Sequence, residues 1–274
     1  MGYNEKFIEA FKIHLPRLKD NALQDSLSKG KAFDYTHFSI VMNRVRKLAI
    51  YTAHNIDGDN LVSVPRTGKW RHDERVGEYQ TGNEAYSRNP WDRGHLVRRT
   101  AVAWGEDAHK ASSDTFHYTN AAPQHENFNQ DEWLELENWV LDKAKQSQRR
   151  MCVFTGPIFS DRDQEYRAIQ IPSAFWKVIV LTKPSGELST VAFLMKQDEL
   201  WQDKKGKDFL DLTLYQVAVG VIEELTDLDF IFDQDAEITA QSENYLRQFD
   251  PLAAFVKSED KSWPVIKTAN DIVV

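Results

Sequence analysis

Short β-rich apolar runs, separated by polar turns and few helical stretches, constrain this chain more than any other feature. Phe38–Met42 and Leu48–Thr52 flank the polar turn Asn43-Arg44-Val45-Arg46-Lys47 in a hairpin pattern. Thr115–Thr119, Met151–Phe154, Ala168–Ile171, Trp176–Leu181 and Thr190–Leu194 read as further strands. Helical spacing is expected in residues 1–30 (Phe7, Ile8, Phe11, Ile13, Leu15, Leu18, Leu23), in Asn129–Lys145 (Trp133, Leu136, Val140, Ala144) and in Leu214–Leu225 (Val217, Val221, Ile222, Leu225). The sum predicts an α+β fold with a mostly antiparallel sheet flanked by helices. A length of 274 residues suits one large domain or two small ones. No repeat or low-complexity linker divides it, so residues 1–250 are read as a single domain with an N-terminal helical extension over 1–30 and a C-terminal tail over 251–274.

Cys152 is the single cysteine, which rules out a disulfide within the chain and any cysteine-based zinc site. The N-terminus is polar and lacks the apolar core of a signal peptide, so a cytoplasmic setting is expected unless a leader has been removed. No apolar run reaches the roughly 18 residues of a membrane span. The formal net charge of −8 argues against a basic binding surface, although local charge matters more at a site than the total.

Residues 57–94 are polar and read as one long loop, the kind that often carries function. The loop ends in Trp91-Asp92-Arg93-Gly94-His95. Asn120-Ala121-Ala122-Pro123-Gln124 follows, and then Asn129, Trp133 and Glu137. Hydrolysis of a phosphodiester needs a base for water, and histidine titrates near neutral pH. It also needs positive charge against the oxygens that gain charge. Magnesium accepts oxygen ligands and keeps most of its waters, so one asparagine carbonyl and a carboxylate holding those waters would suffice. Eight residues separate Asn129 from Glu137, which on a helix is about 80° past two turns and about 12 Å along the axis. That spacing fits a direct ligand and a water-bridged carboxylate better than two direct ligands. Singly, each residue has a plainer reading: a loop histidine, an N-cap asparagine, a solvated glutamate, an Arg93–Asp92 ion pair.

Together these motifs resemble the DNA/RNA non-specific endonucleases. Asp92-Arg93-Gly94-His95 resembles the family's signature, Asn120-x-x-Pro123-Gln124 its following turn, and Asn129-x-x-x-Trp133-x-x-Leu136-Glu137 its metal helix. Thr155-Gly156-Pro157, Ile171-Pro172 through Lys177-Val178, and Ile222 through Phe230 extend the likeness over residues 35–232. The resemblance implies a ββα-metal fold and hydrolysis of DNA and RNA to 5′-phosphate and 3′-hydroxyl ends with Mg²⁺, or Mn²⁺ in its place. It implies His95 as general base, Asn129 as the direct metal ligand, Glu137 as holder of metal-bound water, and Asn120 as the group that orients the His95 ring. Arg93 would contact phosphate and Arg66 would stabilise the transition state, with Lys69 and Arg71 as rivals nearby. Where many members have Leu-Ala after the histidine, this chain has Leu96-Val97-Arg98-Arg99. Arg98 and Arg99 are read as binding the phosphate backbone or, with equal weight, as ion-paired to Glu106, Asp107 or Asp114. A homodimer and an inhibitory or regulatory partner remain open, as does a nuclease effector restrained by such a partner. A decayed nucleic-acid-binding protein is the weaker alternative.

Overall fold

The computed structural model describes residues 1–130, 132–197, 214–232 and 265–273. The chain begins with irregular segments, a two-residue strand β1 (Arg17–Leu18) and a short helix α1 (Asp20–Asp25). Three strands follow: β2 (Phe33–Tyr35), β3 (Phe38–Met42) and β4 (Ala49–Asp57). A long loop leads to β5 (Trp91–His95), helix α2 (Ala108–Asp114), β6 (Ala121–His125) and helices α3 (Glu126–Gln130) and α4 (Glu132–Gln146). The second half contains β7 (Arg150–Ile158), β8 (Gln164–Tyr166), β9 (Ile169–Ile171), β10 (Ala174–Thr182) and β11 (Leu188–Lys196). After residues 198–213 come β12 (Leu214–Val217), α5 (Val219–Thr226), β13 (Leu228–Asp229) and β14 (Val265–Ile266).

Eight strands form one sheet in the order β14-β12-β11-β10-β7-β4-β3-β2, and each neighbouring pair is antiparallel. The central strands carry almost unbroken apolar runs because both faces of the sheet are covered. Alternation sends their side chains to two cores. Phe175, Ile179 and Leu181 of β10 meet Trp133, Leu136 and Val140 of α4 on one face. Trp176, Val178 and Val180 meet Phe7, Ile13 and Ile222 on the other.

The expected hairpin forms at Phe38–Met42 and extends the second strand to Asp57. A continuous helix over residues 1–30 does not form; only Asp20–Asp25 is α-helical there. Phe7, Ile8 and Ile13 are buried, but turns and bridges bring them in rather than a helix face: Ala10 has φ 70°, Ile13 bridges Phe232, and β1 pairs with β13. Pro16 inside the apolar pattern also blocks a continuous helix. Thr115–Thr119 is not a strand: it closes α2 and enters a 3₁₀ turn at Tyr118–Asn120. Leu214–Val217 is a strand rather than the start of the late helix, because it pairs with β11. Within the expected tail, Val265–Ile266 adds the edge strand β14 to the main sheet, while residues 251–264 lie outside the described residues.

Candidate active site

Two short strands and a helix build the site. β5 and β6 form a separate antiparallel ribbon in which Trp91 faces His125 and His95 faces Ala121. α3 starts on the residue after β6, so the chain turns from ribbon into helix with no linker. Ala121-Ala122-Pro123-Gln124-His125 has little strand propensity, and a two-stranded ribbon tolerates its proline. Gln197 anchors it: its Oε1 accepts from the His125 amide at 3.1 Å and its Nε2 donates to the Pro123 carbonyl at 3.1 Å.

Gly94 is required by a close approach. A Cβ there would lie 1.9 Å from Gln124 Oε1, on a side chain that is itself fully buried across the ribbon. Gly94→Ala is expected to lower the unfolding free energy by about 1–3 kcal/mol through this overpacking. Urea unfolding checks it, and a variant as stable as the parent would show that Gln124 moves aside freely.

His95 ends β5. Its ring lies 4.7 Å from the Trp70 ring and 5.0 Å, edge to face, from Phe116. Nε2 is buried without a hydrogen-bond partner. Burial, and then the charges of Arg66, Arg99 and Arg93, push the imidazole pKa down to about 3. The ring is therefore neutral at physiological pH, the form that accepts a proton. Arg66 is exposed with its guanidinium 5.8 Å from the Phe116 ring centre. Arg93 is exposed, lies 5.7 Å from the Trp70 ring centre and donates to Asn83 Oδ1 at 3.1 Å. Of the rivals to Arg66, Arg71 is occupied by His117 at 3.1 Å and Asp114 at 3.3 Å.

Asn129 sits in α3 and donates its Nδ2 to Asp92 Oδ2 of β5 at 3.0 Å. That bond fixes the amide and leaves Oδ1 as a hard oxygen that could face a cation. Glu137 projects from α4 with its carboxylate between two cations: Arg98 Nη1 at 3.9 Å and Lys177 Nζ at 3.7 Å. Burial pushes the Glu137 carboxyl above its usual range, against the pull of Lys177 and Arg98. Among the described residues no three His, Cys, Asp or Glu side chains cluster as a metal cage. The donor set fits a hydrated, oxygen-seeking divalent cation better than zinc.

The sequence model of DNA/RNA non-specific endonuclease matches residues 21–236. The chain belongs to that family. A Sinorhizobium fredii protein called "Uncharacterized protein y4fB" is 42% identical over 72% of this chain and 33% of its own length. Human mitochondrial endonuclease G is 28% identical over 64% of this chain and 58% of its own length. This chain thus spans a third to somewhat over half of those relatives. The nuclease of Serratia marcescens is 28% identical over 70% of this chain and 71% of its own length. A solved EndoG/EndoGI complex shares the fold, with a TM-score of 0.59 at 18% identity over 77% of this chain and 88% of that one. The fold is the ββα-metal fold, α+β as expected. No helix among the described residues is long and apolar enough to cross a membrane.

Within the non-specific endonuclease fold, the candidate residues do not all stand where the sequence suggested. Asn120 does not hydrogen-bond the His95 ring. Its side chain bonds to the Val97 amide at 2.9 Å and to the Val97 and Thr115 carbonyls, both at 3.0 Å. It locks the backbone leaving His95 rather than the imidazole. Arg98 pairs with Glu137, and Arg99 donates to the Val64 carbonyl at 2.9 Å. Neither is ion-paired to Glu106, Asp107 or Asp114; Asp114 takes Arg71 and Lys110 instead. Asp92 meets Asn129, not Arg93 as its salt-bridge partner. Sequence reasoning missed Trp70, Lys177 and His54 as neighbours of the site. The available signal was a lysine inside the apolar run Ala174–Thr182.

Proposed function

We propose that this chain is a divalent-metal-dependent endonuclease that hydrolyses the phosphodiester backbone of DNA and RNA without sequence preference. Membership of the family supports the reaction class. One observation carries the mechanism: a histidine held neutral beside three arginines, at the end of a ribbon that also bears the carboxylate fixing Asn129.

His95 takes the proton of the attacking water through Nδ1, since Nε2 is enclosed. Arg66 and Arg93, both exposed, hold the phosphate, and Arg99, whose charge also acts on the ring, adds to the local positive potential. A bound Mg²⁺, or Mn²⁺ in its place, supplies positive charge for the leaving 3′ oxygen. Asn129 Oδ1 would be its direct ligand and Glu137 would hold its waters. Cleavage at that bond leaves a 5′-phosphate and a 3′-hydroxyl. Contacts to the backbone carry no base code, which accounts for loose sequence preference. The arginines around His95 supply local positive charge in a chain of net charge −8.

The test is a divalent-metal screen on supercoiled plasmid and on RNA. Both substrates are expected to be cut with Mg²⁺ or Mn²⁺ and neither in chelator. Cleavage that persists in chelator, or an inert chain in every metal, would sink the proposal.

A further inference from the structure

Lys177 interrupts the apolar strand β10. Its neighbours on the same face, Phe175 and Ile179, are fully buried, and Lys177 is only 3% exposed. Strand register places it opposite Thr155 of β7, which lies opposite Thr52 of β4. Nζ donates to Thr155 Oγ1 at 2.9 Å, lies 5.0 Å from the centre of the Trp133 ring, and stands 3.7 Å from Glu137 Oε1. Trp133 and Glu137 are one turn apart on α4, so one ammonium meets the helix at two points. Taking an ammonium out of water is costly, and an ion pair lacking a hydrogen bond repays it poorly. An apolar residue would serve the sheet better. The lysine therefore points to the site rather than to stability.

A cavity of about 10 Å³ lies beside this pair, lined by His54, Arg98, Glu137 and Lys177 among apolar neighbours. Three buried atoms of that lining have no hydrogen-bond partner: His54 Nδ1, Arg98 Nη1 and Glu137 Oε1. The volume is near the minimum for one water, and a buried water makes about three hydrogen bonds.

We propose that Lys177 is a positioning residue for the metal half of the site. Together with Thr155, and with a water held by His54, Arg98 and Glu137, it sets the place and rotation of the Glu137 carboxylate. Glu137 can then hold the hydration shell of a cation bound at Asn129. This inference rests on the proposed reading of Asn129 and Glu137. It makes cation affinity depend on a strand residue in the middle of the sheet.

Lys177→Met removes the charge and keeps most of the stem, and Thr155→Val removes only the hydroxyl. Mn²⁺ alone is titrated into each purified variant of this chain, without nucleic acid, and free Mn²⁺ is followed by electron paramagnetic resonance. Lys177→Met is expected to raise the Mn²⁺ dissociation constant about 10–100-fold, as loss of a partner behind a metal ligand does. Thr155→Val should shift it the same way by a smaller factor. Both should keep cooperative thermal unfolding and parent-like retention of DNA in chelator. A folded Lys177→Met protein with parent-like Mn²⁺ affinity overturns the inference. If Lys177→Met fails to fold, Thr155→Val decides, and parent-like affinity there overturns it equally. Asn129→Ala, titrated in parallel, separates the two levels. Lost affinity in Asn129→Ala with none lost in Lys177→Met sinks only the role of Lys177. Unchanged affinity in Asn129→Ala sinks the reading of the site and this inference with it.

Discussion

Replacing His95 by alanine is expected to slow plasmid nicking in saturating Mg²⁺ by about 10²–10⁴-fold, the usual contribution of a positioned general base. The loss should fall on the rate and not on binding, because His95 carries no charge to offer phosphate. Burial and the neighbouring Arg66, Arg99 and Arg93 keep its pKa near 3 in the free protein, so the proton-accepting form is present throughout the physiological range. The fold should survive. The ribbon end is held by the backbone, through the Leu96 amide to the Asn120 carbonyl at 3.0 Å and through the three side-chain bonds of Asn120. Circular dichroism and a cooperative melt verify that point. Nicking at the parent rate by a folded His95→Ala protein would remove His95 as the base.

Asn129→Ala should have an effect of similar or larger size, about 10³-fold or more at limiting Mg²⁺. A cation at the leaving group is worth several kcal/mol, and each 1.36 kcal/mol is tenfold in rate. Only part of the loss should return at high Mg²⁺, because no second protein oxygen is fixed at that place. The variant also removes the amide that orients Asp92, and Glu137 is flanked by Arg98 and Lys177. Binding of DNA in chelator should be unaffected, since the exposed Arg66 and Arg93 are untouched. Cleavage by Asn129→Ala at the parent's Mg²⁺ dependence would show that the cation is held elsewhere.

The helix that bears these residues was legible because Trp133, Leu136, Val140 and Ala144 recur at helical spacing, and all four are buried in the core beneath the sheet. The reading of a helix from Asn129 to Lys145 agrees with the described residues on either side of 131, helical over Glu126–Gln130 and Glu132–Gln146. The strand β6 was not legible. Alanine, proline and glutamine carry no strand signal, and the ribbon forms because Gln197, some 70 residues away in sequence, ties it down. The irregular path of residues 1–19 was hidden for a related reason. Its apolar residues suit a helix face as well as a turn, and only pairing with β13 and Phe232 selects between them.

By itself the sequence determined the strand-rich α+β frame, through apolar runs too short for anything but a sheet. It also determined the chemical inventory of the site: one loop histidine after arginine and glycine, then an asparagine and a glutamate eight residues apart. The tertiary structure alone decided which groups hold which. Asp92 turned out to fix Asn129, Asn120 to fix the backbone rather than the imidazole, and Arg98 to face Glu137 across from a lysine of β10. The physical reason is that side-chain partners in a sheet protein come from strands distant in sequence, brought together by register. The charge that matters to Glu137 is set by Lys177, 40 residues further along the chain and 3.7 Å away in space.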